Sequence, residues 1–209
     1  MAALAIDHLV YAAPDLDRGV GAIAELLGVT ARPGGSHDGL GTRNALAGLG
    51  GRCYLEIIAP DPGQPAPLTP RPFGIDELTA PRLVTFALRC HDVGARLEEA
   101  RRAGYDGGEV VHMSRSRPDG VMLSWKLSNR LEAAHGGLVP FLIDWGDTPH
   151  PSETLDHDVE LVEVTLEHPD PDTVAADLAA LGAELAVRRA DTPSVVATID
   201  TAAGKMNLV

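Results

Sequence analysis

Apolar residues along this chain come in short runs, and the spacing within each run predicts the element it builds. Ile6, Leu9 and Val10 read as a short strand. Pro14 breaks the run. Asp15 can then cap a helix that Val20, Ile23, Ala24 and Leu27 continue at helical spacing, with Gly28 as its C-terminal cap. The glycine-rich stretch 34–41 reads as a flexible loop. It feeds a strand over 42–47, and a turn at 48–51 leads into a second strand over 53–58, so these two should pair as a hairpin. Residues 59–72 hold six prolines without a regular pattern and read as a linker.

The pattern then restarts. A strand over 83–88 is followed by Asp92 as a cap and a helix bearing Val93, Leu97, Ala100 and Ala103, which Gly104 ends. Strands over 108–113, 121–127 and 138–143 complete the unit. A third, shorter copy begins at 159–166, with a helix near 172–181 and strands near 195–199 and 205–208. This is an α+β chain built from βαβββ units, divided as 1–62, a proline-rich linker 63–81, 82–148 and a partial module 149–209, read as one compact unit. Each unit has one helix on one sheet face. The other face is left for two units to close into a shared cavity.

A chain of 209 residues with this pattern can bury a real core. The net charge of -13, with no basic stripe, argues against a nucleic-acid partner. No apolar run reaches the roughly 18 to 20 residues of a membrane span. The start has no charged leader pattern, so a cytoplasmic location is expected. Cys53 and Cys90 lie in separate apolar stretches and read as reduced core thiols. The abundance of Ala, Gly and Pro, and of Arg over Lys, is the bias of a high-GC bacterial genome. There is no Gly-rich phosphate loop, which leaves no place for a nucleotide cofactor.

Two polar residues are out of keeping with their strands. His8 sits in an apolar run, and Glu56 sits in the run Tyr54-Leu55-Glu56-Ile57-Ile58. A buried imidazole and a buried carboxylate each need a partner, which suggests a lined cavity. Thr42 and Asn44 are two residues apart and share a strand face, so both can line it as hydrogen-bonding groups.

Asp7-His8-Leu9-Val10 through Asp15-Leu16, with Tyr54-Leu55-Glu56 further on, resembles the opening module of the vicinal oxygen chelate superfamily. More narrowly, His37-Asp38-Gly39-Leu40-Gly41-Thr42-Arg43-Asn44 resembles a signature of its glyoxalase-like domain family. Pro140-Phe141-Leu142-Ile143-Asp144-Trp145-Gly146 and Pro149-His150-Pro151 are similar to that branch as well. The resemblance implies paired modules curled into a half-barrel mixed sheet with helices outside, around one divalent transition metal (Zn, Fe, Mn, Co or Ni). It further implies one metal ligand from the first and one from the last strand of each module. The first module offers His8 and Glu56; the second aligns Thr85 and Leu142 with them, neither a competent ligand. His37 could swing in as a third ligand. His8 and Glu56 remain open to three readings: a half metal site, a base or substrate anchor, or a structural pair.

Trp125 is either ordinary core or an aromatic wall for a ligand. Asp144 reads as a tie for the following loop, and His150 as a surface or interface residue. The implied function is a small-molecule lyase, isomerase or dioxygenase with an incomplete or atypical metal site, in which His8 and Glu56 are catalytic and His37, Thr42, Asn44 and Trp125 meet substrate. The alternative is a metal-free protein that binds or sequesters a small molecule, as relatives that sequester drugs do. The modules could pair within one chain or across a homodimer.

Overall fold

A computed structural model describes residues 3–116, 120–129 and 134–209. The first module runs β1 (Ala5–Ala12), α1 (Leu16–Leu27), β2 (Arg32–His37), β3 (Thr42–Gly48) and β4 (Tyr54–Pro60). The second runs β5 (Arg82–Arg89), α2 (Val93–Arg102), β6 (Glu109–Ser116), β7 (Met122–Asn129) and β8 (Phe141–Asp144). The third runs β9 (Glu160–His168), α3 (Pro171–Leu181), β10 (Ala186–Arg189), β11 (Ser194–Thr201) and β12 (Gly204–Leu208).

The helices start where side chains supply acceptors for free backbone N–H groups. Asp15 accepts from the Arg18 N–H at 3.1 Å and Asp92 from the Ala95 N–H at 3.0 Å. Gly28 ends α1 in the left-handed region, at φ 71°. Residues 34–37 differ from the loop that the sequence predicts: they are not loop but part of strand β2, paired antiparallel to β3 from Arg32↔Leu46 to His37↔Thr42. Backbone pairing to β3 and close neighbours across the sheet, rather than side-chain propensity, hold Gly34 and Gly35 extended.

The first two modules form one curled eight-stranded mixed sheet in the order β2-β3-β4-β1-β5-β8-β7-β6. They join within the chain through antiparallel β1 and β5. Its two edges approach each other, with Gly35 of β2 beside Ser116 of β6. The third module makes a separate sheet, β10-β9-β11-β12.

Strand alternation divides the residues between two faces. Leu9, Leu55, Ile57, Phe86, Leu88 and Leu142 face the helices in a core that continues into Val164, Leu178 and Ile199 of the third module. The concave face carries two smaller apolar clusters. Tyr54, Ala87, Ile143 and Trp145 form one, and Val10, Ile58, Ile75 and Val84 form the other. The polar groups described next share that face.

The pairing of β1 with β4 sets Val10 beside Glu56, and the matching pairing of β5 with β8 sets Ala87 beside Phe141. The second-module counterpart of Glu56 is therefore Phe141, one residue before the Leu142 that strand alignment suggests. Leu142 faces the helix-side core and is fully buried.

Candidate active site

Glu56 reaches the concave face from β4 and is 8% exposed. Its Oε1 accepts a hydrogen bond from Asn44 Nδ2 at 2.6 Å. Arg115, on β6 of the second module, donates from Nη1 to Asn44 Oδ1 at 3.2 Å, which orients the amide. Gly34 makes this contact possible: a Cβ there would lie 2.1 Å from Asn44 Oδ1 and 2.5 Å from Arg115 Nη1. Only a residue without a side chain fits where the arginine crosses from one sheet edge to the other.

Two imidazoles flank the carboxylate. His37 Nε2 lies 3.7 Å from Glu56 Oε1, and His8 Nε2 lies 3.8 Å from Oε2. His37 is fixed at the β2–β3 turn by Thr42, whose Oγ1 is 3.0 Å from Nδ1. Ser36 donates to Asp61 at 2.7 Å and so ties this hairpin to the chain after β4. Burial pushes the His37 imidazole below its ordinary pKa; nearby Glu56 opposes that shift and Arg115 adds to it. His8 stacks on Tyr54, with ring centroids 4.7 Å apart, and meets the edge of Phe141 at 5.5 Å.

Behind His8 lies Asp7, to which the sequence pattern assigns no role. The register of β1 against β5 slips between Ile6 and His8, the mark of a β-bulge. Asp7 is fully buried there. Its Oδ1 accepts from His8 Nδ1 at 2.9 Å and from Trp145 Nε1 at 3.2 Å. Its Oδ2 accepts from His150 Nε2 at 3.1 Å, with Arg89 at 3.9 Å. Burial alone would raise the Asp7 pKa, but hydrogen bonds from His150 and His8 more than offset it and hold the carboxyl well below the usual range. His150 is thus 1% exposed and not the surface residue its sequence context suggests. It follows Pro149 and precedes Pro151, which restrict the backbone on both sides.

Glu56, His37, Thr42 and Asn44 come together as one hydrogen-bonded cluster, with His8 facing Glu56 at 3.8 Å. Trp125 stands apart, packed on Trp145 with centroids 5.2 Å apart, and the rings against His8 are Tyr54 and Phe141 instead. Asp144 accepts from the Gly146 N–H at 2.9 Å, a loop tie. Arg115 and His150 join the site only in three dimensions: Arg115 is the buried residue of an otherwise largely exposed strand, and the one local mark on His150 is its place between two prolines.

The expected ligand set of His8, Glu56 and His37 does not fit a divalent metal. The two imidazoles face different oxygens of Glu56, His37 Nε2 at 3.7 Å from Oε1 and His8 Nε2 at 3.8 Å from Oε2. One of those oxygens is taken by the Asn44 amide, with a guanidinium behind it. Among the described residues, no three His, Cys, Asp or Glu side chains are grouped to hold a metal ion. What the arrangement can do is hold and move a proton at Glu56 and at His8 Nε2. A cavity of about 210 Å³ opens beside it, lined by Arg115, His150, Pro33, Leu46, Leu123 and Leu155 among others.

The family model for a glyoxalase-like domain matches residues 6–182. No curated protein matches the sequence. Among solved structures, a hypothetical protein from Staphylococcus aureus is 13% identical with a TM-score of 0.66, over 92% of this chain and 90% of that one. A mutant of 4-hydroxymandelate synthase from Streptomyces coelicolor is 15% identical with a TM-score of 0.54, over 99% of this chain and 62% of that one. Methylmalonyl-CoA epimerase from Mycobacterium tuberculosis is 20% identical with a TM-score of 0.45, over 69% and 90%. The first two likenesses are likenesses of fold.

Proposed function

This chain belongs to the glyoxalase-like domain family, and on that footing we propose that it is a small-molecule isomerase or lyase that moves a proton at a carbon next to a carbonyl or similar oxygen-bearing group. The observation that carries this reading is Glu56 itself: a nearly buried carboxylate held at 2.6 Å by Asn44, faced by two imidazoles, beside a cavity that shares Arg115 with it. Glu56 takes the proton from carbon, with His8 Nε2 as the second acceptor. Asn44 holds the carboxylate, and Arg115, bonded to Asn44, places positive charge near the oxygen that becomes negative as the proton leaves. Tyr54 and Phe141 keep bulk water from the face of His8. The cavity limits the substrate to a small molecule.

The donor set favours lyase or isomerase chemistry over a dioxygenase reaction, since the latter asks for a redox metal held by His8, Glu56 and His37. The test is proton exchange in deuterated water, followed by NMR, across a panel of small 2-oxo acids, hydroxyketones and dicarbonyls. The expected result is exchange with at least one of them, slowed about 10²- to 10⁴-fold in Glu56→Gln. Exchange that survives Glu56→Gln, or exchange that depends on added Mn, Fe, Co, Ni or Zn, would overturn the reading. No exchange, together with tight binding of an apolar ligand in the cavity, would favour the binding protein.

A further inference from the structure

We propose that Asp7 is a positioning residue: it fixes His8 with its proton on Nδ1 and a bare Nε2 turned toward Glu56, and His150 locks Asp7 in that role. The purpose rests on the proton-transfer reading above, but the tautomer can be read without a substrate.

Asp7 lies fully inside the protein, where the Trp145 N–H and one ring nitrogen each of His8 and His150 converge on its two oxygens and hold its carboxyl below the usual range. A carboxylate surrounded by donors is ionised, and an ionised carboxylate only accepts. The nitrogen of His8 at 2.9 Å must therefore carry the hydrogen. A neutral imidazole has one N–H, so Nε2, which faces Glu56 Oε2, keeps its lone pair. The bulge in β1 is what lets this happen. Consecutive residues of a regular strand point to opposite faces, yet here Asp7 and His8 bond to each other.

His150 is held just as firmly. Its Nδ1 accepts from the Ser152 N–H at 3.3 Å and lies 2.7 Å from Ser152 Oγ, which leaves Nε2 as the nitrogen that donates to Asp7. Trp145 and His150 both follow β8. The second module, whose own counterparts of His8 and Glu56 are Thr85 and Phe141, thus acts on the first module's histidine from behind.

The experiment is nitrogen-15 NMR of the histidine side chains at pH 8 in the whole chain, with His8 assigned by the signals lost in His8→Gln. The wild type is expected to show His8 with a protonated Nδ1 and an unprotonated Nε2. A wild-type His8 protonated on Nε2 overturns the proposal outright. In Asp7→Asn the amide cannot accept from all three donors. Its NH₂ must face one of them, so His8 is expected to shift toward the Nε2–H form. An unchanged tautomer in a folded Asp7→Asn protein overturns the proposal. His150→Phe keeps the ring volume and removes the lock, and serves if Asp7→Asn does not fold. There the His8 Nδ1 proton should exchange with water at least about 10-fold faster, the scale on which contacts of this kind act. An unchanged exchange rate removes His150 from the mechanism. Failure here leaves Glu56 as the base, while failure of the deuterium-exchange panel leaves the tautomer result standing.

Discussion

His37 is buried to 6% exposure, and its imidazole stays neutral there because burial lowers its pKa below the free value of about 6.5. An unfolded chain takes up a proton on this residue as the pH falls past that value, while the folded chain resists it. Stability at this site is therefore complete above about pH 6.5 and is lost as the pH drops toward the folded value. Urea unfolding at pH 7.5 and pH 5.5 should show the wild type losing more stability than His37→Gln over that interval. Gly34 supplies a second prediction. The Cβ in Gly34→Ala would land on the Arg115–Asn44 contact, so this variant should lose about 1–3 kcal/mol of stability, read by thermal unfolding, along with proton exchange. The cysteines supply a third. Burial pushes the thiol of Cys53 up to about 12 and that of Cys90 up to about 11. Both should be inert to a thiol reagent at pH 8 until the protein unfolds. His8 and Glu56 were legible in the sequence because each is a polar residue in an apolar strand. Asp7, Arg115 and His150 were not, since Asp7 meets a partner 143 residues away and Arg115 meets one 71 away.

At the level of elements, the repeat was legible because helical and strand spacing alternate in the same order twice, with aspartate caps at both helix starts. Strand β2 was not legible. Its Arg-Pro-Gly-Gly-Ser-His sequence has turn composition, and only pairing with β3 makes it a strand. The paired registers yield a prediction about symmetry. His8 and Glu56 lie on β1 and β4, and Thr85 and Phe141 occupy the matching places on β5 and β8. A Thr85→His/Phe141→Glu double variant restores one imidazole and one carboxylate opposite the first pair. Without metal it should melt lower than the wild type, since a carboxylate replaces a ring packed on Phe73 and His8. Added Zn or Ni should raise its midpoint, by an amount equivalent to about 2.7 kcal/mol at 100 times Kd, and leave the wild type unmoved. A metal-induced rise in the wild type would show that its own donors close around an ion after all.

Across the whole molecule, one apolar core runs from α1 through α2 into the third module, where Val164, Leu166, Leu178, Val195, Ile199 and Leu208 are each 3% exposed or less. The third module also bonds directly to the first, through the Leu161 N–H to the Leu49 carbonyl at 2.9 Å. A chain cut after Asp158 would expose the facing apolar surface. It should lose cooperative unfolding and aggregate, as checked by calorimetry and size exclusion. Among the described residues no helix is long and apolar enough to cross a membrane.

His150 belongs to two structures at once. One part of its surface lines the cavity, and its Nε2 holds Asp7, which holds His8. The ring itself is closed off from solvent, so a molecule in the cavity acts on it through the Pro149–Pro151 segment that carries it. On the proton-transfer reading proposed above, occupancy and the orientation of His8 are thermodynamically linked: a ligand whose fit shifts this segment loosens His8, and one that leaves it in place keeps His8 oriented. The pocket would then select its substrate partly by how well that molecule leaves the contact undisturbed.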